Sequence, residues 1–281
     1  MRKITTLFFT FMLLNHIQAQ YGEFGLITGA TGYMGDVQQG GMPDNRSYGL
    51  SGGLMYRYNF NPHLSISAHG FAGHFSCTDA YASGARRSRN LSFRNTVYQF
   101  GIHGEWNLTK YDVLDGHISA PYLILGVAGF YHNPEARDLN GKWTALQPLA
   151  TEGQKLNGGK PYSLLQISIP YGLGVKLAAN KRVNLGVELV FHQTFTDYLD
   201  DVSGNYPDLK ALREQSPLAA DLSWRTPQYF GTSGLEAPTG QKRGDTYKTD
   251  VYYFCRGTIT INLASGRKME YNASYRSYWN Q

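Results

Sequence analysis

Three groups of residues in this chain have types and spacings that chemistry uses. Asp197, Asp200 and Asp201 crowd together just after an alternating run. Clustered oxygens of this kind hold Ca²⁺, which takes several carboxylate and carbonyl ligands. Their spacing matches no recognised calcium loop, and acids at a strand end are also ordinary solvated residues. His192 and Thr194 share one side of that run. An imidazole beside a hydroxyl is part of a nucleophilic lipid-hydrolysing set. No third orienting residue can be named, so a wall histidine is the plainer reading. The third group is Arg57, Glu105, Lys176, Glu188 and Arg256, with Glu23 as a further member. All fall on the polar side of alternating runs, where opposite charges facing one lumen pair and plug it. The first four fall towards the same ends of their strands. Gly29-Ala30-Thr31-Gly32 lacks the Lys and following helix that a phosphate loop needs. The sequence points to no catalytic residue, metal or cofactor.

The elements that must position these residues are strands, because the hydrophobic period is two. In 182–194, Val183, Leu185, Val187, Leu189 and Phe191 oppose Arg182, Asn184, Gly186, Glu188, His192 and Thr194, with Val190 out of pattern. In 164–177, Leu165, Ile167, Ile169, Tyr171, Leu173, Val175 and Leu177 share the apolar side. Residues 94–108, 48–60 and about 250–263 repeat the pattern, and glycine blurs it in 21–35, 64–75 and 118–132. That makes eight strands, an even number as bacterial outer-membrane barrels have. The connections alternate in length. Turns at 61–63 and 179–181 and a link at 109–117 are short, whereas 36–46, 76–92, 133–161 and 198–249 are longer. Short periplasmic turns and long external loops sort this way in membrane barrels. The reading is an all-β fold: an eight-stranded antiparallel transmembrane β-barrel, with both ends of the mature chain in the periplasm.

Composition agrees with that class. The chain has 281 residues, 32 Gly, 21 Tyr and 2 Cys, and aromatics make up 14%. Tyrosine and glycine suit interfacial girdles and tight turns. Residues 1–19 read as a cleavable signal peptide: Arg2 and Lys3, an apolar run from Ile4 to Leu14, then a cut after Ala19. That run is too short to span a bilayer as a helix. The barrel then occupies 20–263 and a C-terminal periplasmic tail 264–281. Cys255 shares its phase with Ile259 and Ile261, which points it at lipid rather than at a bridge with Cys77. The net charge of +5 suits acidic lipid headgroups at the outer membrane; no nucleic acid is expected of an exported chain.

Several runs resemble a known family. They are Tyr56-Arg57-Tyr58-Asn59-Phe60-Asn61-Pro62, Asn90-Leu91-Ser92-Phe93-Arg94-Asn95 and Gly129-Phe130-Tyr131-His132-Asn133-Pro134. Leu146 to Gln154, Gln166 to Lys176 and Thr196-Asp197-Tyr198-Leu199-Asp200-Asp201-Val202-Ser203 continue the series. Together they resemble the PorG-type outer-membrane barrels of Bacteroidota, a component family of the type IX secretion system. The resemblance covers nearly all of the mature chain. It implies a non-enzymatic anchor that ties a periplasmic ring, built from a PorK-type lipoprotein and a PorN-type partner, to the outer membrane. It carries over no catalytic residue. The long 198–249 insertion and the tail depart from the family pattern. On this reading the tail offers the largest partner surface, through Arg267, Lys268, Tyr271, Tyr275, Arg276, Tyr278 and Trp279. A stand-alone surface barrel that binds or adheres through its loops is the alternative, and a lipid-modifying barrel enzyme the third.

Overall fold

The computed structural model describes residues 21–37, 48–113, 116–233 and 235–263. The leader and the tail, including Arg267, Lys268, Tyr271, Tyr275, Arg276, Tyr278 and Trp279, lie outside the described residues. Eight long strands follow the period-two runs: β1 (Tyr21–Met34), β2 (Gly49–Asn61), β3 (Leu64–Thr78), β4 (Ser92–Asn107), β5 (Ser119–Tyr131), β8 (Leu165–Ala178), β9 (Val183–Thr194) and β10 (Val251–Asn262). Each pairs antiparallel with its neighbours in the order β3-β2-β1-β10-β9-β8-β5-β4, and a β3–β4 pairing closes the ring. The sheet therefore has no free edge along the wall. Two short strands, β6 (Glu135–Arg137) and β7 (Trp143–Ala145), form a hairpin that hangs on β4 by the Arg94–Glu135 pair.

Alternation sorts the side chains to two faces, as a pleated strand requires. On β8, Leu165, Ile167, Ile169, Tyr171, Leu173, Val175 and Leu177 are all exposed, while Ser168, Pro170, Gly174 and Lys176 are buried. The same division holds round the wall, and Leu50 is 80% exposed. Val190, out of pattern in the sequence, is buried on the lumen side. Tyr253 has the outward phase yet is buried, because its ring lies across Gly32, where a Cβ would come within 2.2 Å of it. Soluble proteins do not expose an apolar surface that encircles them. Among the described residues, no helix is long and apolar enough to cross a membrane; the strands, at 12 to 16 residues, are longer than the ~9–11 that a tilted crossing needs.

The loop end differs from a set of open loops. β3 runs on to Thr78 and β4 begins at Ser92, so the expected 76–92 loop shrinks to a 3-10 turn and a short helix, α1 (Ala85–Arg89). The 198–249 insertion folds into α2 (Leu209–Gln215), α3 (Pro217–Ser223) and α4 (Thr226–Phe230). Asp208 caps α2 by accepting from the Lys210 and Ala211 amides, and Ser216 caps α3 by accepting from Ala219, with Pro217 at the first position. Leu209, Leu212, Ala219 and Ala220 then pack into one cluster.

Candidate functional site

The inside of the barrel has two layers. At the short-turn end lies a layer of charge to which every barrel strand gives at least one polar side chain, among them Glu23, Arg57, Ser67, Glu105, Tyr122, Lys176, Glu188 and Arg256. None of these is more than 1% exposed. Arg57 is the hub. Its Nε donates to Glu105 at 2.8 Å and its Nη1 to Glu23 at 3.0 Å, and Glu188 lies 3.5 Å from its Nη2. Lys176 bonds Glu105 at 3.0 Å, and Arg256 bonds Glu188 at 2.6 Å. Hydroxyls fill remaining acceptor sites: Ser67 donates to Glu105, Tyr122 to Glu188 and Thr260 to Glu23. Three carboxylates thus face three cations. Burying such charges is tolerable only when each has an opposite partner, as here, although Arg256 Nη1 and Nη2 find no hydrogen-bond acceptor. The lumen of an eight-stranded barrel is narrow enough for side chains to fill, and here glycine makes the room. A Cβ on Gly29 would meet the Arg256 backbone at 2.6 Å, and one on Gly126 that of His103 at 2.6 Å.

Above this layer the lumen turns aromatic. Phe71 stands edge-on to Phe254 at 4.5 Å, and His192 stacks on Tyr252 at 4.6 Å. Tyr33, Phe75 and Phe93 continue the column, and Leu146, Leu199, Val202 and Leu222 from the loops complete one core. The loops are therefore a cap packed into the mouth. Here His192 and Thr194 take separate partners. The Thr194 hydroxyl donates to the Asp250 carbonyl at 2.6 Å, whereas the hydroxyl near His192 Nδ1 is that of Ser168, at 3.3 Å. Both residues are sealed inside the wall, out of reach of a lipid.

The aspartates after β9 hold the cap together. Asp200 accepts from the Tyr33 hydroxyl at 2.6 Å and from the amides of Val37 and Val202, both at 2.9 Å. Asp250 accepts from the Leu199 amide at 2.8 Å and also lies 2.9 Å from the Tyr33 hydroxyl. Asp201 accepts from Thr151 and from Tyr162, the latter at 2.8 Å. Their oxygens point at separate donors and not at one centre; among the described residues no cluster of three or more ligand side chains is arranged for a metal. Burial pushes the carboxyls of Asp197, Asp200 and Asp201 up to about 8, 7 and 6, and that of Asp250 well above the usual carboxylate range. Tyr33 has one hydroxyl proton for two carboxyl groups, so one of those two must bring a proton of its own.

Arginines tie the loops to one another. Arg243 donates to Glu152 at 2.8 Å and to the Asp201 carbonyl at 2.6 Å. Arg89 grips Asp79 through two nitrogens, at 2.7 and 2.8 Å, and reaches the carbonyls of Arg243 and Asp36. Sequence reasoning missed this set, since Asp79, Arg89, Glu152 and Arg243 carry no periodic signal. As for the cysteines, Cys255 is exposed on the outer wall, while Cys77 is buried in the aromatic core.

A closed antiparallel ring, an encircling apolar belt and a filled interior define a small membrane-spanning β-barrel of the outer-membrane type. Within that class the chain belongs to the family described as a domain of unknown function, DUF6089, which matches residues 2–221. No curated protein matches it. Solved structures that resemble it include Ail, the attachment invasion locus protein of Yersinia pestis, at 10% identity over 86% of this chain and 99% of that one, with a TM-score of 0.37. Neisserial surface protein A matches at 10% identity over 86% and 96%, with a TM-score of 0.40. OprG of Pseudomonas aeruginosa matches at 11% identity over 87% and 99%, with a TM-score of 0.36.

Proposed function

We propose that this chain is a non-enzymatic outer-membrane scaffold, exported by its leader, that anchors the periplasmic ring of a type IX secretion machine. The observation that carries the scaffold part is the double seal. Ion pairs fill the lumen at the turn end and aromatic rings fill it at the loop end. A barrel filled this way offers its surfaces and not a conduit. The secretion part rests on the ordered series of motifs from Tyr56 to Ser203 that resembles the PorG-type barrels. On this reading the turns at 61–63 and 179–181, the 109–117 link and the 264–281 tail face the periplasm, where a PorK-type lipoprotein and a PorN-type partner would meet them. Tagged full-length barrel drawn from native membranes should bring down the ring lipoprotein, and deleting the gene should stop secretion. A barrel that comes down alone from a strain whose secretion is intact would end this proposal. Truncation after Leu263 then asks whether the tail is the contact.

One observation favours a second reading, a surface receptor. The cap carries a cleft of about 640 Å³ between α1, α4 and 235–245, with Tyr206, Trp224 and Phe230 beside Arg86 and Lys242. Aromatic faces next to cations are an adaptable recognition surface. Binding of external ligands by intact cells, lost in Trp224→Ala, would support this reading.

A further inference from the structure

The outer wall is not uniformly convex. Two neighbouring cross-strand rows frame a groove of about 660 Å³ in it, within the roughly 300–1,000 Å³ span of small-molecule sites. One row runs Gly104, Leu125, Tyr171, Phe191, each directly opposite the next on the adjoining strand. The other runs Trp106, Leu123, Leu173, Leu189 in the same way. The Tyr171 and Phe191 rings stack at 5.8 Å and make a stiff wall at one end. At the other end the first row lacks a side chain, because Gly104 stands where its neighbours on the outer face of β4 are Ile102 and Trp106. The space is open: a Cβ there would meet only the Leu125 carbonyl, at 3.8 Å.

We propose that this groove binds one phospholipid of the leaflet on the turn side, with an acyl chain along the groove and the phosphate at the Lys110 corner. The proposal rests on the membrane-spanning reading of the barrel. Three features point to that occupant. The groove lies wholly within the apolar belt, so what surrounds it in a bilayer is acyl chain. It also climbs: Trp106 is the last but one residue of β4, whereas Leu189 lies in the middle of β9. A chain that enters at the polar rim and rises towards the bilayer centre follows the path of a lipid tail. Finally, the rim end carries positive charge. Asn107 and Tyr111 bond the carbonyls of His63 and Pro62 at 2.8 and 3.0 Å, which holds the exposed Lys110 beside the 61–63 turn at the foot of the groove. A lysine at the membrane surface attracts an anionic headgroup.

Native mass spectrometry of the full-length barrel, released from nanodiscs of phosphatidylglycerol and phosphatidylcholine, tests this. Wild type should hold one phosphatidylglycerol through the release. Gly104→Leu, which fills the notch, should cut that occupancy about tenfold. Lys110→Glu should abolish the preference for phosphatidylglycerol over phosphatidylcholine. Gly129→Leu is the control: it also faces outward, a Cβ there meets nothing within 4 Å, and it lies away from the groove, so occupancy should match wild type. Heat-modifiable migration scores folding and insertion of each protein, so failure of the membrane reading shows separately, as wild type that never inserts. Inserted wild type without lipid, equal occupancy in the two glycine variants, or a second copy of the chain in place of lipid would overturn the groove proposal.

Discussion

The two ends of the interior solve the same problem, buried carboxylates, in different ways. At the turn end each acid faces a guanidinium or an ammonium, as Glu105 faces Arg57 and Lys176. At the loop end Asp200 and Asp250 face a phenol, backbone amides and a shared proton. The first arrangement fixes charge inside a wall that lipid surrounds. The second keeps charge low in a cap where these carboxyls are as deeply buried as the acids of the first. What separates them is the partner each acid finds, since a buried charge is kept where a cation reaches it, as Arg89 reaches Asp79, and is costly where only neutral donors do.

The largest effect should come from breaking the charged layer. Glu188→Ala strands Arg256 and removes the acceptor of Tyr122, and should cost about 3–5 kcal/mol in urea unfolding from lipid vesicles. Replacing both partners, Glu188→Leu with Arg256→Met, should recover most of that loss, because no charge is then left alone. A double variant as unstable as the single would mean that the layer acts by shape and not by charge.

Next comes the phenol. Tyr33→Phe removes the donor that Asp200 and Asp250 share, and should destabilise the cap by about 1–3 kcal/mol. Hydrogen exchange in 198–250 should rise, while that in the turn-side halves of the strands stays as it was.

The pH dependence should follow the same division. The cap aspartates have folded-state values raised above the unfolded value of 3.8. Their stability contribution is therefore full below that value and is lost as pH rises through about 6 for Asp201 and about 7 for Asp200. Cap protection, taken relative to the intrinsic base-catalysed exchange rate at each pH, should be greater at pH 5 than at pH 8. Asp200→Asn keeps an acceptor for Tyr33 without the charge and should flatten that profile. A cap that instead loosens on acidification would show that its aspartates are ionised in the folded state.

The smallest effect should be on the β6–β7 hairpin. Arg94 pairs with Glu135 at 2.6 Å and lies 4.0 Å over the Trp143 ring, both partly exposed. Arg94→Gln should cost about 0.5–1 kcal/mol, read as local exchange in 135–145.

The wall was legible because a strand that separates two solvents must alternate, and β8 and β9 do so along their length with Val190 the exception. β1, β3 and β5 were faint for a reason the lumen supplies: glycines such as Gly29 and Gly126 sit where a neighbour's backbone leaves no room for a side chain. Phase alone put Arg57, Glu105, Lys176, Glu188 and Arg256 on one face, but who pairs with whom depends on register around the ring. The cap was less legible. Asp208 before Leu209 and Ser216 before Pro217 are helix-start signals that the length of 198–249 obscured. The three-residue strands β6 and β7 are too short to show any period. Asp200 and Asp201 crowd together as carboxylates around a cation do, yet their partners lie far off in the chain, at Tyr33, Thr151 and Tyr162.

The charged layer also bears on the order of assembly. Glu23 belongs to the first strand and Arg256 to the last, and Thr260 bonds Glu23 across 237 positions of sequence. In a sheet open at that seam, Glu23 keeps Arg57 and Arg256 keeps Glu188 on the adjoining strands, but the contacts that span the lumen are missing. The Arg57–Glu188 contact at 3.5 Å joins β2 to β9 across the lumen, and it and the Thr260–Glu23 bond form only when β1 meets β10. Such distant pairings are slow to find, so the seam should be the last contact made. A chain with a strand missing or out of register would be left with uncompensated charge and would stay open, within reach of proteases. In that sense the contacts that span the lumen act as a closure check, passed once per molecule as it enters the membrane.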